Sequence, residues 1–263
     1  MINNIILLLI IGMAFVGCDS QEKSADIILI APAYTMDTKQ PWAEAVAIKG
    51  DKIIFVGDDH DVRLYQNSTT QVIEVPNGMV LPGFIDSHVH LLWGGIEMNE
   101  CHLHDLNTSD QIFQNIRDYL AGNPDVEWLR GSGWYLPIFT DGNPRKEWLD
   151  EICPDKPVFL LSLDGHSAWV NSKALELAGI DANTTDPPNG RIERDPKTKE
   201  PSGVLREDAM GLVEDLLPGY TKDQIDAGLE IAFREANRFG ITAILDAGTE
   251  LYSQVESSSK KYD

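Results

Sequence analysis

Hydrophobic and polar positions change rhythm three times along this chain. An uninterrupted apolar run comes first, from Ile5 to Val16, within a 17-residue opening segment that carries no charge. From Ala25 to Val80 the pattern becomes short alternating stretches, "ADIILIAPAYTM", "AEAVAIKGDKIIFVGD" and "TTQVIEVPNGMV". Alternation puts successive side chains on opposite faces of a strand, so these stretches predict β structure with one buried face. Gly50-Asp51, set between two such runs, predicts a hairpin. Beyond Leu81 strands alternate with helices. "TSDQIFQNIRDYLAG" places Ile112, Ile116 and Tyr119-Leu120 on one helical face and ends at Gly122. "NSKALELAG" starts with Asn171 as an N-cap and stops at Gly179, and "TKDQIDAGLEIAFREANRFG" opens with Thr221 and Gln224 as a capping box and closes at Gly240. "EWLRGSGW", "PVFLLSLDGH" and "ITAILDAG" read as buried strands, and residues 183–203 as an irregular excursion or a β-hairpin.

These rhythms divide the chain into residues 1–17, 18–24, 25–81 and 82–263. The opening apolar run is shorter than the about 20 residues a membrane-spanning helix needs, and it fits the core of a secretory signal. Small Gly17 precedes Cys18, and a polar "DSQEKS" follows. The segment resembles a bacterial lipoprotein signal, although it lacks Lys or Arg and has Phe15 where Leu is usual. The expectation is a signal peptide over 1–17 and a tether over 18–24. The protein would then sit in the bacterial cell envelope, held to a membrane by a lipid on Cys18 alone. Cys101 and Cys153 are too few for a disulfide framework and read as buried thiols.

Charge narrows the partners. Forty-two acidic residues against 21 basic ones give a net charge of −21, which argues against nucleic acid and anionic lipid, both bound through Lys and Arg. A solvated acidic surface accounts for it. The 43% hydrophobic content is that of a globular protein.

The strand-helix alternation predicts a parallel α/β sheet or barrel, with ligands at the carboxyl ends of its strands. In "VLPGFIDSHVHL", Asp86, His88 and His90 stand at i, i+2 and i+4 of a predicted strand and so project from one face. Two converging imidazoles suit a divalent metal. His88, His90, Trp134, Asp164, His166 and Asp246 all lie at or just after the end of a predicted strand. A second pair, His102 and His104 in "CHLHDL", has the same spacing but precedes a helix, and reads as part of a surface strand. Neither a nucleophilic Ser or Cys arrangement nor a phosphate-binding Gly loop is present.

"FIDSHVH" resembles the amidohydrolase superfamily, whose first barrel strand ends in a His-x-His metal pair. "VLPGFIDSHVHL", "GSGW", "PVFLLSLDGHSAWVNSKALELAGI", "NGRIERDP", "SGVLRE" and "GITAILDAG" narrow the likeness to amidohydrolase family 3, the N-substituted formamide deformylase-like branch. The resemblance implies an α/β fold, the N-terminal part of a metal-dependent hydrolase (β/α)8 barrel, incomplete here, with a small β-sandwich domain. It implies hydrolysis of non-peptide C–N bonds in a small-molecule amide by metal-activated water, with one or two divalent ions, zinc first. It makes His88 and His90 metal ligands and Asp86 an acid that orients a histidine. Asp164 and His166 fall near the substrate end of the pocket. Trp134 is a pocket wall or ordinary core, Glu207 faces the site or simply opens the next helix, and Asp246 joins the pocket candidates.

The chain also departs from the family. Family members continue with a lysine on a middle strand, two further histidine motifs and a late Ser-Asp, whereas here no histidine follows His166. Strands expected near 80–90, 127–134, 157–166 and 241–247, with a short one at 203–206, make about half of a barrel that takes about 250 residues. Three readings stand open: an inactive remnant, half of a split enzyme completed by a second chain, and a lipid-anchored binding protein.

Overall fold

A computed structural model of the protein describes residues 24–248. The expected signal segment, Cys18 and nearly all of the tether lie outside the described residues. The chain divides between Gly83 and Phe84, close to the expected boundary after residue 81.

In the first unit, β1 (Ile27–Tyr34), β2 (Trp42–Lys49), β3 (Lys52–Gly57), the short α1 (Asp59–Val62) and β4 (Gln71–Glu74) follow in order. The sheet runs β3-β2-β1-β4, with β1 and β4 parallel and the other neighbours antiparallel. The Gly50-Asp51 hairpin forms as expected, pairing Lys49 with Lys52. Its Gly50 takes φ +57°, a left-handed value that suits glycine, and its N–H donates to Asp26 Oδ2 at 2.7 Å. Ile28, Ala45, Ala47 and Val62 bury the inner face. The described residues of this unit form one sheet, where the family resemblance implied a sandwich.

The second unit opens with β5 (Phe84–Val89), α2 (Leu91–Asn99), β6 (Cys101–His102), α3 (Ser109–Gly122) and β7 (Leu129–Trp134). It continues through α4 (Lys146–Ile152), β8 (Val158–Ser162), β9 (Ser167–Val170), α5 (Ser172–Leu177) and β10 (Gly190–Arg194). The last described elements are β11 (Pro201–Glu207), α6 (Gly211–Glu214), α7 (Lys222–Arg238) and β12 (Ile241–Asp246). The helix signals hold in detail. Thr108 caps α3, Asn171 caps α5 through a bond from Ala174 N, and Thr221 with Gln224 closes a capping box on α7.

The described strands of this unit divide between two sheets. β10-β11-β9-β8-β7-β6 form one mixed sheet, parallel across β6, β7 and β8 and antiparallel beyond, while among the described residues β5 pairs in parallel with β12 alone. The strands at 127–134, 157–166 and 203–206 therefore belong to a sheet separate from the His-x-His strand. Alternation and apolar content specify that a segment is a strand but not its partner, which is fixed by contacts distant in sequence.

Ile112 and Ile116 from α3, Leu149 from α4, and Trp134, Leu160 and Trp169 from the sheet build the main core. Each buried Ile or Leu contributes about 1.5–3 kcal/mol relative to exposure. Asn171 is buried at 0% exposure with both ends of its amide used. Its Oδ1 accepts from Val158 N and Ala174 N, and its Nδ2 donates to Cys153 O and Lys156 O. α2 and α7 meet at glycines, where Gly95 faces the Gly228 carbonyl with no room for a side chain. Among the described residues, no helix is long and apolar enough to cross a membrane.

Candidate functional site

Five of the six histidines lie at or just beyond the carboxyl end of a parallel strand, and only His60 does not. His88 and His90 close β5, His102 and His104 close β6, and His166 follows β8. Ligands of open α/β sheets gather outside these ends. That distribution is the starting point for the chemistry.

At the end of β5 the chain leaves the strand at His90, which is the N-cap residue of α2. The rings of His88 and His90 stand 5.4 Å apart between centroids and nearly perpendicular, at 87°. Both side chains are exposed. Asp86 Oδ1 accepts from the backbone N–H of His88 at 3.0 Å, so this carboxylate fixes the strand end and does not orient a histidine ring. On the neighbouring strand Asp246 Oδ1 accepts from Gly248 N at 2.9 Å, holding the turn that passes beside His90. The donor set of two imidazoles suits a divalent cation, and His88 and His90 are the residues that would hold one. Among the described residues, no third His, Cys, Asp or Glu joins them as a metal cluster.

Trp134 is not a pocket wall. Its ring is fully buried between Phe139 and Trp169, and its indole N–H donates to Leu160 O at 2.8 Å. A strand end and an aromatic residue carry the same signal for a wall and for core, and packing from α3 and α4 decides it. Asp164 and His166 share one turn with Gly165 at φ +74°. Asp164 Oδ1 accepts from Ser162 Oγ at 2.6 Å and from His166 N at 3.1 Å. Although burial pushes the other way, those bonds hold the Asp164 carboxyl below the usual range. His166 Nδ1 meets Glu207 Oε2 at 3.1 Å, uniting two candidates that stand 41 positions apart in the sequence. The bond to Glu207 and its charge raise the His166 pKa.

His102 and His104 close an edge strand as expected, with His102 exposed and His104 half-buried. Cys101 and Leu103 between them are buried, while the two rings stack at 4.5 Å and 16°. His104 Nε2 lies 3.3 Å from Ser132 Oγ, and its ring rests so close to Gly133 that a Cβ there would stand 2.1 Å from His104 Cδ2. Gly133 has φ +100°, so "GSGW" needs its second glycine both for conformation and for space. Burial raises the pKa of Glu97 against the opposing influence of Trp93, His102 and Ser132. Burial also lowers the pKa of both His102 and His104. Sequence reading named the two histidines but not Ser132, for which the flanking glycines were the available signal. Cys101 and Cys153 are free and buried as expected, and burial pushes the Cys101 thiol up to about 12.

Residues 71–259 match the model of the amidohydrolase family. The chain belongs to that family. Among curated relatives it is 34% identical over 215 residues to Protein LONG AFTER FAR-RED 3 of Arabidopsis thaliana, an alignment covering 82% of this chain and 37% of the relative. It is 32% identical over 246 residues to the N-substituted formamide deformylase of Arthrobacter pascens, covering 89% and 45%. This amidohydrolase chain thus spans less than half the length of these two relatives. Its fold is similar to that of an uncharacterized metal-dependent hydrolase from Pyrococcus furiosus, with a TM-score of 0.59 and 20% identity over 90% of this chain and 47% of that one. A counterpart from Pyrococcus horikoshii OT3 gives 0.54 and 21%, covering 89% and 46%. Both structural likenesses bear on the fold alone.

Proposed function

We infer that this amidohydrolase-family chain serves a metal-dependent hydrolase that cleaves the C–N bond of a small non-peptide amide, with N-substituted formamides as the leading substrate class. The observation that carries this reading is the convergence of His88 and His90 at the carboxyl end of β5. The relative named for formamide deformylation supports the substrate class.

His88 and His90 hold a divalent ion, zinc first. They are two of the three protein ligands that a catalytic zinc site takes, its fourth position being left for water. Such an ion would lower the pKa of bound water to about 7. Asp86 contributes by fixing the backbone from which His88 projects, and Asp246 by fixing the Gly248 turn beside His90.

The protein is placed in the bacterial cell envelope by acylation of Cys18, with Cys18→Ala leaving the detergent phase of a two-phase extraction. The acidic charge leaves no role for nucleic acid. The deciding experiment for the reaction is turnover of N-butylformamide by the purified protein, followed as formate release with and without chelator. Turnover lost both on chelation and in His88→Ala supports the reading. Turnover that survives chelation and His88→Ala sinks it.

A further inference from the structure

Glu207 is a non-glycine residue at φ +48°, in the left-handed region, at the last position of β11. That conformation costs about 1–2 kcal/mol in an ordinary L-residue. It does not serve packing, because the Glu207 side chain is 54% exposed. What it does is aim a carboxylate at His166. Oε2 lies 3.1 Å from His166 Nδ1, and the Glu207 N–H donates to His166 O at 3.2 Å, so side chain and backbone of one residue both fasten on the other. Within the same turn, Asp164 holds the His166 backbone N–H while its own oxygen is fixed by Ser162. Glu207 thus fixes the imidazole, and Asp164 the backbone that carries it. The His166 side chain is nonetheless 67% exposed, and Nε2 meets no protein partner among the described residues.

A carboxylate on Nδ1 selects the tautomer with the proton there. Nε2 then carries the lone pair in the neutral ring and a proton in the imidazolium, the same division of labour found wherever an acid orients a catalytic histidine. His166 also follows the carboxyl end of β8, a parallel strand, where ligands of α/β sheets are met. The charged groups facing the ring are Glu207 from β11 and Asp164 from its own turn, and both favour the imidazolium.

We propose that His166 delivers a proton from Nε2 to the amide nitrogen of the substrate, with Glu207 as its positioning residue. This rests on the amide-hydrolase reading given above. Water supplies the hydroxyl that bonds to the acyl carbon; as the C–N bond breaks, its electron pair stays on nitrogen and the Nε2 proton passes to that nitrogen. The ring is left neutral with Nδ1–H on Glu207, and it regains a proton from water.

The test is histidine-ring NMR on the full-length protein, with the His166 signals assigned by their loss in His166→Gln and N-butylformamide as the probe. In the wild type, His166 should titrate above the ordinary histidine value and show the Nδ1–H tautomer. Glu207→Gln and Glu207→Gly should both return it toward that value. The glycine variant matters because it relieves the left-handed backbone while deleting the carboxylate, and so keeps the turn folded. The probe should shift the His166 Nε2 signal in the wild type and bind about tenfold more weakly in Glu207→Gln. A titration unchanged by both Glu207 variants overturns the pair. A probe that moves the His88 and His90 signals and leaves His166 untouched overturns the proton-delivery role while sparing the hydrolase reading. A probe that moves no histidine overturns both.

Discussion

Gly248 and His90 are in such close contact that a Cβ on the glycine would stand 2.5 Å from the imidazole Nδ1. The turn after β12 thereby limits where the second histidine of the His-x-His pair can lie. Asp246 holds that turn through its bond from Gly248 N, so a residue on one strand sets a ring on its neighbour.

Gly248→Ala should therefore displace the His90 ring and weaken zinc or nickel binding by about tenfold, the lower end of what disturbing the support of a ligand costs. Isothermal titration with far-UV circular dichroism as a folding control measures it. His88→Ala/His90→Ala should abolish the same binding, and His102→Ala/His104→Ala should leave it nearly unchanged. Equal affinity in Gly248→Ala and wild type would show that the glycine contact has no bearing on the metal.

Two adjacent glycines of α2 should respond in opposite directions. A Cβ at Gly95 would meet the Gly228 carbonyl oxygen at 2.0 Å and the Ala232 Cβ at 2.9 Å, whereas a Cβ at Gly94 meets nothing within 4 Å. The Gly95 clash is with backbone, so α2 and α7 must separate. Gly95→Ala gains about 1 kcal/mol of helix propensity but should lose more through overpacking, which runs to about 1–3 kcal/mol. Gly94→Ala keeps the gain, and should raise stability by about 0.5–1 kcal/mol. Urea denaturation midpoints of the two variants, falling on either side of the wild type, are the expected result.

How much of this was legible in the sequence depends on the range of the interaction involved. The capping box of Thr221 and Gln224, the Asn171 cap and the Gly50 turn are local, and each formed where the residues indicated. The His88 and His90 spacing is also local, and the two rings do converge. Trp134 was not legible, because a strand-end aromatic becomes core or pocket wall only through what packs against it. The pairing of β5 with β12 joins segments about 150 residues apart, and nothing in either segment's pattern excludes β6 as its neighbour. Glu207 is the clearest case. Its left-handed backbone and its bond to His166 arise from the register of β11 against β9, which the residue type does not encode.

Acidification should test the His102 and His104 cluster directly. Burial lowers both pKa values below the ordinary histidine value, so in the folded protein these rings stay neutral at a pH where the unfolded chain binds protons. Where the unfolded state binds more protons, stability rises with pH. The stability they support is therefore present above about pH 6.5 and is lost as pH falls through that value toward their lower folded pKa values. His166 has the opposite sign. Its raised pKa gives a contribution that is present below about pH 6.5 and is lost as pH rises through its folded value. Removing each set separates the two. His102→Gln/His104→Gln should flatten the decline of the urea midpoint between neutral pH and pH 5, while His166→Gln should make that decline steeper. Gln keeps a polar group of similar reach beside Ser132 and Gly133, so the fold is retained. A wild-type midpoint that climbs on acidification, with the double variant running parallel to it, would mean that the half-buried carboxyl of Glu97, whose raised pKa acts in the reverse sense, dominates the cluster.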